Sequence, residues 1–231
     1  MPSPALEKST LDLLIRQERH YRDTSQWSLL RSMWHPDASQ TLVSISFVTG
    51  TVDDWINGGK KIGGSSTTPP PAEGSVTGPF HTIGPKEILV EGDRALATTL
   101  ISIHMRFLHG GVTFDVVSWA HQVQRFVKLP SSSSSSSSSA DAEDWKLVRF
   151  EAIYIRDELK LPWPQEAATE AVLGAVGREI EGAGKRECVR VLGWTLGLGG
   201  VEVRGDVPGY DDEGTWRPVV EAGRRWLEGG S

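Results

Sequence analysis

The stretch from His81 to Ile155 constrains the fold of this chain more than any other part of it. His81–Val90 and Ala95–Phe107 are rich in β-branched residues and flank a turn sequence, Glu91-Gly92-Asp93. His109-Gly110-Gly111 makes a second turn before a third run, Val112–Lys128. Such runs, joined by a few turn-forming residues, predict strands that pair in consecutive antiparallel hairpins. Nine serines, Ser131–Ser139, precede a fourth strand, Trp145–Ile155. A serine run buries nothing and loses much freedom on ordering, so it reads as a surface insertion at a hairpin tip. A phosphorylation tract is the functional alternative, and no flanking basic or acidic pattern supports it.

Helical patterns lie on either side. Residues 1–9 read as a flexible leader, and Ser9-Thr10 would cap a helix over Leu11–Asp23, with Asp12 in its first turn. Leu11, Leu14, Ile15 and Glu18 share one face of that helix, and Arg19, Arg22 and Asp23 continue round it. A second helix, Ser25–Trp34, is stopped by His35-Pro36-Asp37. Thr41–Val48 predicts a strand and Val52–Asn57 a brief helix, while the glycines and consecutive prolines of Gly58–Gly78 predict a mobile loop. After Leu161-Pro-Trp-Pro the pattern predicts helices over Glu166–Glu181 and Lys185–Leu196, a short strand Val201–Arg204 and a final helix Thr215–Leu227. The expected class is α+β: a curved antiparallel sheet wrapped on N-terminal helices over residues 10–160, a cone-shaped barrel, with a mainly helical C-terminal extension over 161–231. A half-open cone leaves a pocket between helix and sheet.

Composition narrows the function classes. With 38% hydrophobic residues in 231, the chain can build a real core. A net charge of −6 without any basic tract argues against nucleic acid or an anionic membrane as partner, because both require cations to displace counterions. One cysteine, Cys188, excludes an internal disulfide framework and a Cys-rich metal site. No run approaches the roughly 20 apolar residues of a membrane span, and the first residues lack signal-peptide character, so a cytoplasmic protein is expected. Phosphate loops, nucleophile elbows and His-Glu-x-x-His pairs are absent. His104 and His109 flank a turn and read as half-exposed hairpin residues; neither a metal nor a cofactor is expected.

Two positions stand out for acid–base chemistry. Asp23 lies near the end of the first helix, and His81 opens a strand after Gly-Pro-Phe. An imidazole exchanges protons near neutral pH if a carboxylate fixes its tautomer. From pattern alone each also reads structurally, Asp23 as a cap and His81 as a satisfied strand-edge residue.

In order along the chain, Tyr21-Arg-Asp23-Thr-Ser-Gln-Trp27, His35-Pro-Asp-Ala, Phe80-His81-Thr-Ile-Gly84, Gly92-Asp-Arg-Ala-Leu-Ala and Trp145-Lys-Leu resemble the SnoaL-like branch of the nuclear transport factor 2-like superfamily. That branch includes polyketide cyclases, bile-acid dehydratases and scytalone dehydratase, and the resemblance spans about residues 10–158. The tail around Asp206-Val-Pro-Gly209 and Trp226-Leu227 is similar to an uncharacterised SnoaL-like group. The resemblance implies a cofactor-independent lyase or isomerase, dehydratase- or cyclase-like, acting on a lipophilic aromatic or polyketide-like small molecule. Asp23 and His81 fall where scytalone dehydratases place a catalytic Asp–His pair. Met105 stands where that family has a second histidine, Ala120 and Gln122 near its Ser and Asn, and Arg22 at its Tyr. A homo-oligomer, dimer or trimer, is expected. The alternative is a non-catalytic module of the same fold, binding a ligand or forming a dimer interface.

Strand parity extends the candidate site. If His81 and Met105 face the cavity, so should Thr99, Ile101 and Ile103 on one strand and Val116, Ser118, Ala120 and Gln122 on the next. His104, Arg106, Asp115 and Trp119 would then face away, with Arg106 and Asp115 paired across the hairpin. That pairing argues against an epoxide hydrolase, which would need a second carboxylate and an arginine inside. Arg22, Ser118 and Gln122 are candidates for substrate hydrogen bonds, and Tyr154 and Trp55 for the rim. A carboxylate within about 3 Å of an imidazole nitrogen, facing an enclosed cavity, would favour the enzyme over the module.

Overall fold

The computed structural model describes residues 3–62, 79–130 and 143–230. Ser131–Ser139 and most of the Gly58–Gly78 segment lie outside the described residues.

Among the described residues, six strands form one curved sheet in the order β2-β1-β6-β5-β4-β3. They are β1 (Leu42–Ile45), β2 (Val48–Gly50), β3 (Phe80–Glu91), β4 (Arg94–His109), β5 (Val112–Pro130) and β6 (Glu143–Lys160). β3 to β6 pair as expected in consecutive antiparallel register, from Glu91↔Arg94 through His109↔Val112 to Pro130↔Glu143. Gly110 and Gly111 both adopt positive φ, 59° and 72°, in the tight β4–β5 turn, a backbone twist that matches the flanking strands. Register shifts at Ile83/Lys86, Trp119/Ala120 and Arg125/Phe126 accompany the bend, each adding local twist.

The sheet is not wholly antiparallel. β1 runs parallel to β6, with Val43 opposite Phe150. The single strand expected over Thr41–Val48 is instead a hairpin that turns at Ser46-Phe47. Val201–Arg204 forms no strand either: the Arg204 N–H donates to the Ser46 carbonyl of that turn at 2.9 Å, and Lys185 Nζ donates to the Val203 carbonyl. Those groups are satisfied outside any ladder, so extended backbone here does not add to the sheet.

Helix α1 (Pro4–Asp23) begins two turns earlier than expected. Pro4 suits a first helical position, and Ser3, not Ser9 or Thr10, caps it by accepting the Leu6 N–H. The Ser9 and Thr10 hydroxyls instead donate back to the Ala5 and Leu6 carbonyls. The short α2 (Trp27–Ser32) delivers Trp34 to a bridge with Leu147 of β6. Helix α3 (Val52–Ile62) runs five residues past the expected Asn57. It opens with a capping box, in which Thr51 Oγ1 accepts the Asp54 N–H and the Asp54 carboxylate accepts the Thr51 N–H.

The C-terminal extension closes both faces of the sheet. Helices α4 (Glu170–Gly182), α5 (Arg190–Leu198) and α6 (Glu213–Leu227) follow in order. α4 begins after Thr169, whose hydroxyl accepts the Val172 N–H, rather than at Glu166. Leu192, Trp194 and Leu196 of α5 join the core of the inner face, where Trp194 meets Phe107 edge-on at 5.4 Å. α6 covers the outer face, its Val219 packed with Leu96, Val123 and Ile153. Those three positions have the opposite parity to Ile101, Ala120 and Ala152, which is why one sheet can carry two apolar layers. No helix among the described residues is long and apolar enough to cross a membrane.

Candidate active site

Helix α1 carries charge into the interior. Its buried face runs Leu11, Ile15, Glu18, Arg19 and Arg22, so the apolar stripe of the first turns passes into ionic side chains. Glu18 and Arg19 form a bidentate ion pair, and the Arg19 guanidinium lies over the rings of Trp55 and Phe150, 5.5 and 4.9 Å from their centroids. A charge taken out of water requires a partner, and Glu18 provides it for Arg19. Gln122 Nε2 approaches the same carboxylate at 3.5 Å.

Asp23 ends α1 and reaches the start of β3. One oxygen accepts the His81 backbone N–H at 2.8 Å and the other lies 2.7 Å from His81 Nδ1. An ionised carboxylate only accepts, so this contact assigns the proton to Nδ1 and leaves the lone pair on Nε2. Burial pushes the Asp23 carboxyl upward, but the His81 hydrogen bonds and the positive charges around it outweigh that and hold it below the usual carboxylate range. Burial pushes the His81 imidazole down; the Asp23 bond opposes this and the Arg19 charge adds to it, leaving it at about 4. The ring is therefore neutral at pH 7. Among the described residues, nothing else hydrogen-bonds to it.

His81 lines a cavity of about 570 Å³, mouth included, between α1, α3, α5 and the sheet. Ile101, Ile103 and Met105 of β4 form one wall, Phe150, Ala152 and Tyr154 of β6 another, and Leu192 and Leu196 of α5 close the end. Arg19 and Arg22 are the cationic groups at the surface of this apolar space. The Tyr154 hydroxyl accepts the Ser46 N–H at 2.9 Å, and burial pushes it up to about 12, so its own proton is retained and can be donated into the cavity.

Only some of the candidates read from strand parity line the cavity. Ile101, Ile103, Met105, His81 and Arg22 line it, as do Trp55 and Tyr154. Thr99, Ser118, Ala120 and Gln122 are fully buried without lining it. Gln122 and its register partner Thr99 lie by Glu18 under α1, and Ser118 lies opposite Asp157 under α5. β6 supplies the wall expected from β5. Arg106 and Asp115 do pair across the hairpin, at 2.6 and 2.9 Å, with Trp163 stacked on the guanidinium. His104 Nε2 lies 2.8 Å from Ser102 Oγ, while His109 Nε2 meets Glu179 at 2.9 Å. No group of three or more His, Cys, Asp or Glu side chains among the described residues is placed to hold a metal ion.

Sequence reasoning passed over the α5 wall and the Tyr154–Ser46 contact, which arise only when distant segments meet. It also passed over Arg19 as a cavity residue. The visible signal there was ionic side chains continuing the Leu11–Ile15 face, where a surface helix would carry apolar ones. Asp157 of β6 lies beneath α5 without lining the cavity: it accepts the Leu192 N–H at 2.8 Å in the first turn of α5, and burial pushes its carboxyl up to about 6.

The chain matches no family model and no curated protein. It is similar to several solved structures. A protein of Novosphingobium aromaticivorans, provisionally named a scytalone dehydratase, aligns with a TM-score of 0.47 at 14% identity, over 70% of this chain and 91% of its own. An NTF2-like protein with a cystatin-like fold from the same organism aligns at 0.42 and 19% identity, over 64% and 82%. The Kfla4162 protein of Kribbella flavida aligns at 0.44 and 13%, over 71% and 97%.

Proposed function

We propose that this protein is a cofactor-independent lyase or isomerase that moves a proton α to the carbonyl of a lipophilic, aromatic or polyketide-like small molecule. The observation that carries the reading is the Asp23–His81 contact at the wall of an apolar cavity. His81 Nε2 is the general base. As it takes the proton, the C–H electron pair becomes a C=C bond and the carbonyl π pair moves onto oxygen, giving an enolate and an imidazolium.

Asp23 stabilises that imidazolium through Nδ1 and keeps the ring oriented. The proton is then returned. Delivered to another carbon, it completes an isomerisation. Delivered to a β-hydroxyl, it lets the C–O pair leave as water while the enolate pair restores the carbonyl, which is a dehydration. Acid–base assistance of this kind contributes roughly 10²–10⁴ in rate. The apolar walls exclude water and strengthen the Asp23–His81 interaction.

The test uses an activated ketone, 2-tetralone, in deuterated buffer, with α-proton exchange followed by NMR. Protein-dependent exchange that disappears in His81→Ala is the expected result. Undiminished exchange in that variant would remove His81 as the base.

A further inference from the structure

Arg22 is a charge that the site leaves without a hydrogen-bond partner among the described residues. It is 6% exposed and lines the cavity that His81 lines. Its nearest acidic group is Asp23, with Nη1 4.0 Å from Oδ1, too long for a hydrogen bond. Both Asp23 oxygens are engaged by His81, and Glu18 is taken by Arg19. No other acceptor among the described residues bonds to the Arg22 guanidinium. Burial pushes it down to about 10, which leaves it charged at neutral pH. A buried, charged side chain aimed into a cavity without a hydrogen-bond partner is costly, and such groups gather where a ligand completes them.

The charges around the cavity indicate what would complete it. With His81 neutral, Glu18 balances Arg19 and Asp23 balances Arg22. Transfer of a proton from a neutral carbonyl compound to His81 creates one positive and one negative charge. Asp23 already holds the ring that becomes positive; Arg22 is the group free to meet the oxygen that becomes negative.

We infer that Arg22 binds the developing enolate oxygen, and that the ligand is a neutral carbonyl compound held as an oxyanion in its reactive form. The inference rests on the acid–base reading above and assigns its electrophilic half. Arg22→Met removes the cation at similar volume, and Arg22→Lys restores a point charge.

The probe is a series of substituted phenols of graded acidity, planar mimics of an enolate, with binding measured by calorimetry and ionisation of the bound phenol by absorbance. The wild type is expected to bind the more acidic phenols more tightly, as phenolates. Arg22→Met should lose about tenfold or more for the most acidic member and show no dependence on acidity, and Arg22→Lys should recover part of both. An unchanged dependence in a folded Arg22→Met protein would overturn the inference and leave the Tyr154 hydroxyl as the donor. A wild type indifferent to phenol acidity would overturn it as well. Because no turnover is involved, failure here is separable from failure of the His81 assignment, which the exchange experiment reads independently.

Discussion

Asp23 grips His81 twice, through the backbone amide and through Nδ1, across 58 positions of sequence. The amide contact fixes where β3 begins relative to the end of α1, and the ring contact sets the tautomer. Asp23→Asn separates the two. The amide oxygen can still accept the His81 N–H, but its NH₂ facing Nδ1 favours the opposite tautomer, with the proton on Nε2. The expected outcome is a folded protein whose ¹⁵N spectrum shows that exchange of tautomers, with tetralone exchange slowed by about 10²–10⁴.

The His81 imidazole is held at about 4, so proton abstraction should keep its rate down to that pH instead of falling off near 6.5. The stability consequence has a definite sign. Between about 4 and 6.5 the unfolded state binds a proton at His81 that the folded state does not, so this group makes stability rise with pH across that window. It follows that stability is lost as pH falls through it. An NMR titration of the ring, paired with urea denaturation from pH 4 to 7 for the wild type and His81→Ala, checks both expectations.

Asp157 works in the opposite direction. Its carboxyl, raised to about 6, binds a proton more readily folded than unfolded, so its contribution to stability declines as pH rises from about 4 to 6. Its Oδ1 and the Ser118 hydroxyl, opposite each other in the β5–β6 register, are both buried, and the hydroxyl offsets only part of the carboxyl's rise. Asp157→Asn keeps an acceptor for the Leu192 N–H and offers a donor toward Ser118. Relative to the wild type it should gain stability with rising pH, reaching about 1–3 kcal/mol above pH 6. Denaturation midpoints measured at pH 4.5 and 7.5 would show it.

Gly209 anchors the extension to β6: it bridges Tyr154, and a Cβ at this position would overlap Cys188 Sγ and crowd Asp211. Gly209→Ala should cost about 1–3 kcal/mol by overpacking. Loosened docking of α5 should also raise hydrogen exchange at Leu192 and Leu196 more than at the centre of β5. Equal protection at both places would show that the extension and the sheet open together.

Much of the sheet was legible because its signals are local. Glu91-Gly92-Asp93 and Gly110-Gly111 dictate tight turns, and the alternation along Ala95–Phe107 dictates which side chains share a face. The start of α1 was misread because Ser9-Thr10 resembles a cap as well as Ser3 does, and only the course of the chain decides between them. Thr99, Ser118 and Gln122 were assigned to the cavity because parity reports a face and says nothing of what covers it.

What the amino-acid order determined by itself is the hairpin succession, the run of ionic side chains that continues the Leu11–Ile15 face of α1, and the motifs around Asp23 and His81. These depend on neighbours in the chain, where backbone sterics and side-chain period act directly. The tertiary structure alone decided that Asp23 meets His81, that β1 runs parallel to β6, and that Arg22 is left facing the cavity while Arg19 is paired. Those outcomes depend on which surfaces exclude water from one another over long sequence separations, and the pKa of a carboxylate, guanidinium or imidazole shifts only once that burial has occurred.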